Sequence, residues 1–444
     1  MGQPRAHDAA VASARVPMAL RALRHRNFQL FFAGQLISLI GTWMQTVAQS
    51  WLVYRLTGSA LLLGTVGFAS QIPVFLIAPF GGTVADRHRR HRIVIATQAS
   101  AMLLAFILAF LTLSGRVQVW HIFVLAASLG VVNAFDIPAR QAFLVEMVGK
   151  EDLMNAIALN SSMFNGARVI GPAIAGVLVA RIGEGWCFFG NAVSYIAVIA
   201  GLLLMKIQIP RSAPRQGSAL KDILEALNFV RSTAPIRALL LLLGLLSLAG
   251  MPYSVLMPIF ADQILHGGAR GLGILMGGTG VGALIGAVAL TLKKGVSGLG
   301  TWVAFSAFGF GAALILFSGS RHFWLSVVLL VPVGLFMMVE MASSNTLIQA
   351  MVPDHLRGRM MALYSMMFMG MAPFGALLAG VTAHLFTAPI TVAMGGGFCV
   401  LGGIAFRVKL PALRPSAREL LVAQGMAGGE PSEQTTAPGL AGST

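Results

Sequence analysis

Three ionisable side chains lie inside stretches that are otherwise apolar: Asp136, Arg168 and Glu340. A charge at membrane depth costs at least a few kcal/mol, so each should face a partner or a water-filled path. Together they are equipped to move a proton or to couple charge to a second event. Asp136 shares a helical face with Asn133 and Arg140, and Arg168 shares one with Ser161, Asn165 and Pro172. Measured back from the turn near Gly149 to Asp152 at about 1.5 Å per residue, Asp136 lies roughly 20 Å deep and Arg168 roughly 24 Å. An Asp136–Arg168 ion pair is therefore expected. Glu340 takes the place of Asp136 in an internal repeat, but Ala372 stands where Arg168 stood. Two readings of Glu340 stand: an acid without a local base that takes up and releases a proton, or a structural bridge to Arg168.

Gln35, Ser38, Thr42, Gln45 and Gln49 recur at steps of three to four residues within one apolar stretch. Such a stripe either lines a substrate path, with Asn133 and Asn165 contributing from other segments, or bonds to neighbouring helices. Methionine and phenylalanine are plentiful, with 23 and 27 copies, and "YSMMFMGM" clusters four Met with a Tyr. An adaptable surface of this kind suits small amphipathic substrates, although Met is also common core filler. The two cysteines, Cys187 and Cys399, have no metal-ligand or redox spacing around them. No HExxH, GxSxG or P-loop motif occurs, so no catalytic residue, metal site, cofactor or enzyme activity is expected.

The elements that position these residues follow from composition. With 57% apolar and 10% charged residues and a mean hydropathy of +0.80, the chain is built for lipid. Alternating ten-residue strands of an outer-membrane barrel are absent. Apolar stretches of spanning length fall near 28–53, 60–84, 93–114, 119–143, 155–181, 185–206, 236–261, 270–292, 299–318, 323–347, 360–385 and 387–406. A net charge of +16 would suit nucleic acid in a soluble protein, but here the basic residues sit between apolar blocks and orient helices, so no nucleic-acid partner is expected. Of 31 Lys and Arg, 25 fall on the side of the termini, five on the other side (Arg55, Arg116, Arg181, Arg270, Arg321) and Arg168 within a span. Both termini should therefore be cytoplasmic.

Residues 130–177 align without gaps on 334–381 at an offset of 204, with 13 identities that include Gly130/Gly334, Met163/Met367, Gly171/Gly375 and Gly176/Gly380. Such a repeat predicts an all-α membrane protein of twelve transmembrane helices in two pseudo-symmetric six-helix halves. The expected organisation is an N-terminal cytoplasmic tail (1–26) without a cleavable leader and a first half (27–206). A cytoplasmic linker with an amphipathic helix (207–235), a second half (236–407) and a disordered cytoplasmic tail (408–444) follow.

Within this frame "GGTVADRHRRHR" resembles motif A of the major facilitator superfamily, with Gly82, Asp86, Arg87 and Arg90 at its Gly, Asp and basic positions and Arg89 replacing its second Gly. Gly82 would permit close helix approach, Asp86 would accept from the N-terminus of a facing helix as a conformational gate, and the arginines would anchor at headgroups. "NGARVIGPAIAG" resembles the antiporter motif C, in which Gly171, Pro172 and Gly176 would serve packing and bending. "RNFQLFFAGQLISLIGTWMQ" and "NAFDIPARQAFLV" are similar to the subfamily of enterobactin-type siderophore exporters and macrolide efflux proteins. The resemblance implies the major facilitator fold and a proton-coupled exporter of drug-like amphipathic molecules. Siderophore or metabolite export and lipid flipping are the alternatives. It further implies a monomer in the bacterial inner membrane.

Overall fold

A computed structural model describes residues 18–149, 151–206, 219–293 and 295–424, without the side chains of Met18, Ala19, Pro79, Asp86, residues 219–223, Asp354 and His355. The expected N-terminal tail lies mostly outside the described residues, as do 207–218 of the linker and 425–444 of the tail. Among the described residues there is no strand, and twelve helices are long and apolar enough to cross a membrane.

The first half comprises α1 (Arg26–Thr57), α2 (Ala60–Arg87), α3 (Arg90–Leu113), α4 (Val119–Val148), α5 (Leu153–Ile182) and α6 (Glu184–Leu203). Short turns with glycine at positive φ (Gly58, Gly115, Gly149, Gly183) reverse the chain between several of these helices, a conformation that other L-residues adopt at a cost. The linker carries α7 (Ala219–Ser232), and Glu225 on it forms an ion pair with Arg359.

The seventh span is assembled from α8 (Ala234–Leu245) and α9 (Tyr253–Ile259), joined and followed by wide π turns at Leu246–Gly250 and Phe260–Ile264. Pro252 and Pro258 remove backbone donors here, which the locally altered bonding accommodates. Then come α10 (Gly268–Leu292), α11 (Leu299–Gly319) and α12 (Phe323–Met351). The eleventh span breaks into α13 (Asp354–Met369) and α14 (Ala372–Leu385), with Pro373 opening the second piece. The last helix, α15 (Ala388–Ala423), runs well past Arg407, so the disordered tail expected from 408 is corrected. Leu413, Ala417, Leu420 and Leu421 pack against the core of the second half and hold the helix together through Pro411 and Pro415.

The halves repeat one packing scheme: α2 lies on α4 and α3 on α6 in the first, α10 on α12 and α11 on α15 in the second. Between the halves, α5 packs on α10 and α2 on α14. Lipid offers no hydrophobic drive for such contacts, so close approach of small residues supplies it. A Cβ on Gly273 would fall 2.6 Å from Gly176 Cα and 2.6 Å from the Pro172 carbonyl oxygen, and one on Gly64 would fall 2.5 Å from the Ala376 oxygen.

All these seams lie toward the end of the bundle remote from the termini, here the distal end. On α2 the inter-half contacts continue to Phe75, whose ring meets Phe374 at 5.8 Å. Beyond it Gly81 faces Ala134 of its own half, and a Cβ on Gly82 would meet nothing within 4 Å. The close-approach glycine in this conformation is thus Gly81 and not the expected Gly82. Among the described residues, the close contacts between the halves gather toward the distal end.

Candidate transport site

Asp136, 3% exposed, points into the first half and not toward α5. Arg140, one turn along α4, meets it at 3.1 Å, while Thr97 and Gln98 of α3 donate to its other oxygen at 2.8 and 3.0 Å. The expected Asp136–Arg168 pair is therefore corrected. An i, i+4 arginine on the same face reaches the carboxylate without crossing between helices, and α3 supplies the remaining donors.

Arg168 turns instead to the interface between the halves. Its guanidinium stands 5.6 Å from the Trp43 ring centroid on α1 and 3.7 Å from the Met337 sulfur on α12, and it has no carboxylate within salt-bridge distance among the described residues. Glu340, 2% exposed, faces the interior of the second half, where Ser344 donates to it at 3.0 Å. The expected alternative of a Glu340–Arg168 bridge is not formed.

The polar stripe of α1 is largely spent inside the first half. Gln35, 2% exposed, accepts from Arg140 at 3.2 Å, and Gln45, 7% exposed, accepts from Asn191 of α6 at 2.7 Å. These two do not line a path, because α4 and α6 cover them. Thr42 donates to the Ser38 carbonyl at 2.9 Å, and Asn165 donates to that of Ser161 at 2.9 Å. Gln49 and Asn133 are half-buried. Gly171 and Gly176 sit at close approaches, the first against Trp43 and Ile40 of α1, the second against Gly273 of α10; Pro172 lies between them within α5.

In the motif A region, Arg90 bonds to Glu146 at 2.9 Å and so braces α3 to α4 within one half, while Arg87 is exposed. Asp86 lies on α2 near its end, and its side chain is outside the described residues. Sequence reasoning missed Tyr54 and Asp262, whose hydrogen bond at 2.8 Å joins α1 to the π turn ending the seventh span. It also missed Trp43 and Phe164, whose rings meet edge to face at 5.6 Å beside Arg168. An acid at the edge of an apolar span and aromatics flanking an arginine were the available signals.

Two six-helix halves that meet along small-residue seams, with a buried arginine that has no carboxylate partner among the described residues where they meet, define a membrane transporter of the two-repeat kind. Residues 18–424 match the family model for transmembrane secretion effectors, and the chain belongs to this family of major facilitator superfamily transporters. It is similar to the staphyloferrin A transporter of Staphylococcus aureus, at 26% identity over 80% of this chain and 89% of that protein. It is likewise similar to the enterobactin exporter of Citrobacter koseri, at 25% identity over 88% and 93%. Among solved structures it resembles a bacterial homologue of the iron transporter ferroportin in its inward-facing state, with a TM-score of 0.65, 17% identity and coverage of 86% and 98%. A nucleoside transporter gives a TM-score of 0.65 at 14% identity, covering 89% and 99%. These structures share the fold.

Proposed function

We propose that the chain exports a siderophore-class small chelator across the bacterial inner membrane by alternating access, with both termini cytoplasmic and Glu340 carrying an exchanged proton. The observation behind this reading is Arg168, without a carboxylate partner among the described residues, just below the distal seam between the halves. Iron(III) is a hard cation and is held by oxygen-rich, commonly anionic chelators, which a cationic site suits better than it suits cationic drugs. The relatives named above, matched over most of their length, favour the same substrate class. The 25-to-5 charge asymmetry sets the orientation, and the gathering of close contacts at the distal end then corresponds to a cytoplasm-facing state. Motif A is the gate of the opposite state, in which Asp86 draws the end of α2 to the start of α13.

Complementation tests the function. A bacterium deprived of its enterobactin exporter should recover chelator in the medium, read by an iron-exchange dye, when it expresses this chain. Medium chelator that stays at the deficient level, with the protein present in the membrane, refutes the proposal. Orientation is read separately with an impermeant maleimide in a background lacking Cys187 and Cys399: Ser114→Cys should label in intact cells and Arg89→Cys only after permeabilisation.

A further inference from the structure

Arg168 immediately precedes Val169, which abuts Gly280 in the seam between the halves: a Cβ on Gly280 would fall 2.9 Å from the Val169 Cγ2 atom. Since α5 runs from the end with the termini toward the distal end, Arg168 is the first side chain below the closed seam. Two other helices meet it there, through Trp43 on α1 and Met337 on α12. Neither of these offers an anion. Arg140 and Arg90 both have carboxylates, so this guanidinium stands apart from its neighbours in the first half.

One turn nearer the termini on the same face of α5 stands Phe164, with 45% of its surface exposed although its edge rests on Trp43. A guanidinium with free donors and a half-exposed aromatic ring one turn apart match a planar ring bearing an oxyanion. The cation costs free energy while it has no partner, and an entering anion removes that cost.

We infer that Arg168, Trp43 and Phe164 form a subsite for an aryl oxyanion of the substrate, the guanidinium taking the charged oxygens and Phe164 stacking on the ring. This rests on the exporter reading for its substrate and adds the chemical group that is recognised. Because the subsite reaches the second half through Met337, occupancy would also be sensed where the halves separate.

The test measures binding of 2,3-dihydroxybenzoate and its neutral analogue 2,3-dihydroxybenzamide to the full-length protein in nanodiscs. Wild type should prefer the acid by about tenfold or more, the range of a charge-assisted bond. Arg168→Gln should lose that preference while keeping amide affinity within about twofold, which also shows that the variant is folded. Arg168→Lys should retain part of it, as a point charge without the planar fork. Phe164→Ala should weaken both ligands alike. A wild type that binds both ligands equally, or an Arg168→Gln variant that still prefers the acid, overturns the subsite, and unchanged amide binding by Phe164→Ala overturns its aromatic part. Failure of the exporter reading looks different. If complementation fails while the Arg168-dependent preference persists, siderophore export falls and the subsite stands; if complementation succeeds without that preference, the subsite alone falls.

Discussion

The Tyr54 hydroxyl donates to the Asp262 carboxylate at 2.8 Å, joining the first helix of one half to the first span of the other at the distal end. Tyr54 is 6% exposed, so the bond is shielded from water on the Tyr54 side. A hydrogen bond to a charged group contributes about 1.5–3 kcal/mol, enough to move a two-state ratio roughly tenfold or more. Tyr54→Phe should therefore populate the distally open state. Spin labels at Ser114 and His322, both exposed on the distal face, should show a longer-distance population in the variant. An unchanged distance distribution would remove this bond from the gate.

The glycine seams make a second prediction by steric exclusion. Gly273→Ala sets a methyl 2.6 Å from Gly176 Cα and the Pro172 oxygen, which are backbone atoms that cannot rotate away. The distal end should be held apart, so transport should fall to background while membrane insertion is normal. Gly81→Ala should lower thermal stability because its methyl meets the Ala134 carbonyl, whereas Gly82→Ala should not. Equal melting temperatures for the two variants would contradict this packing.

Much of this frame is legible in the sequence. Length and apolarity alone delimit the twelve spans, because the bilayer fixes how many apolar residues a helix needs. Side-chain partnership is not legible in the same way. Helical spacing groups Gln35, Thr42 and Gln45 on one face but cannot say whether that face meets α4 and α6 or an open path. Asp136 and Arg168 lie at similar depth, yet Arg140 is nearer. Tyr54 and Asp262 are 208 residues apart, and only the docking of the two halves brings them together. The tail from 408 reads as disordered, but packing of Leu413 and Leu420 on the core keeps α15 helical to Ala423.

Asp136 and Arg168 should behave oppositely on removal. Asp136→Ala strips Arg140, Thr97 and Gln98 of their shared acceptor. Breaking a buried pair costs about 3–5 kcal/mol, toward the lower end here because Arg140 keeps 26% of its side chain exposed. Arg168→Gln orphans no carboxylate and removes an unpaired cation, so its stability should equal or exceed that of wild type. Melting temperatures in detergent compare the two, and a strongly destabilised Arg168→Gln would mean that Arg168 has a structural partner.

Asp152, at the start of α5, gathers His25 at 2.7 Å, Arg24 at 2.8 Å and Arg21 at 3.1 Å, tying the segment before α1 to the α4–α5 turn. The hydrogen bond from His25, assisted by Arg24 and Arg21, holds its carboxyl below the usual 3.8 against the opposing pull of burial. A depressed carboxylate stabilises the fold fully above its unfolded value and ceases to do so as pH falls through its folded value. The advantage of wild type over Asp152→Asn should thus be constant above about pH 4 and fade below it. Melting curves of both proteins across that range measure it, and an advantage that grows on acidification would reverse the sign and refute the assignment.

Glu340 is the remaining buried acid of the transport region, and its surroundings differ from those of Asp136 in the way that proton exchange requires. Asp136 meets Arg140 and two further donors, whereas Glu340 receives the Ser344 hydroxyl and meets no cation among the described residues. A neutral acid and a charged one are then separated only by what the changing conformation brings near, such as water entering from one side and then the other. Glu340→Gln keeps the volume and can still accept from Ser344, so folding and substrate binding should survive. Export driven by a pH gradient in proteoliposomes should be lost, while exchange of substrate against substrate continues. If Glu340→Gln still moves protons against substrate at the wild-type ratio, the carrier is another group, and Glu340 serves only to order α12 through Ser344.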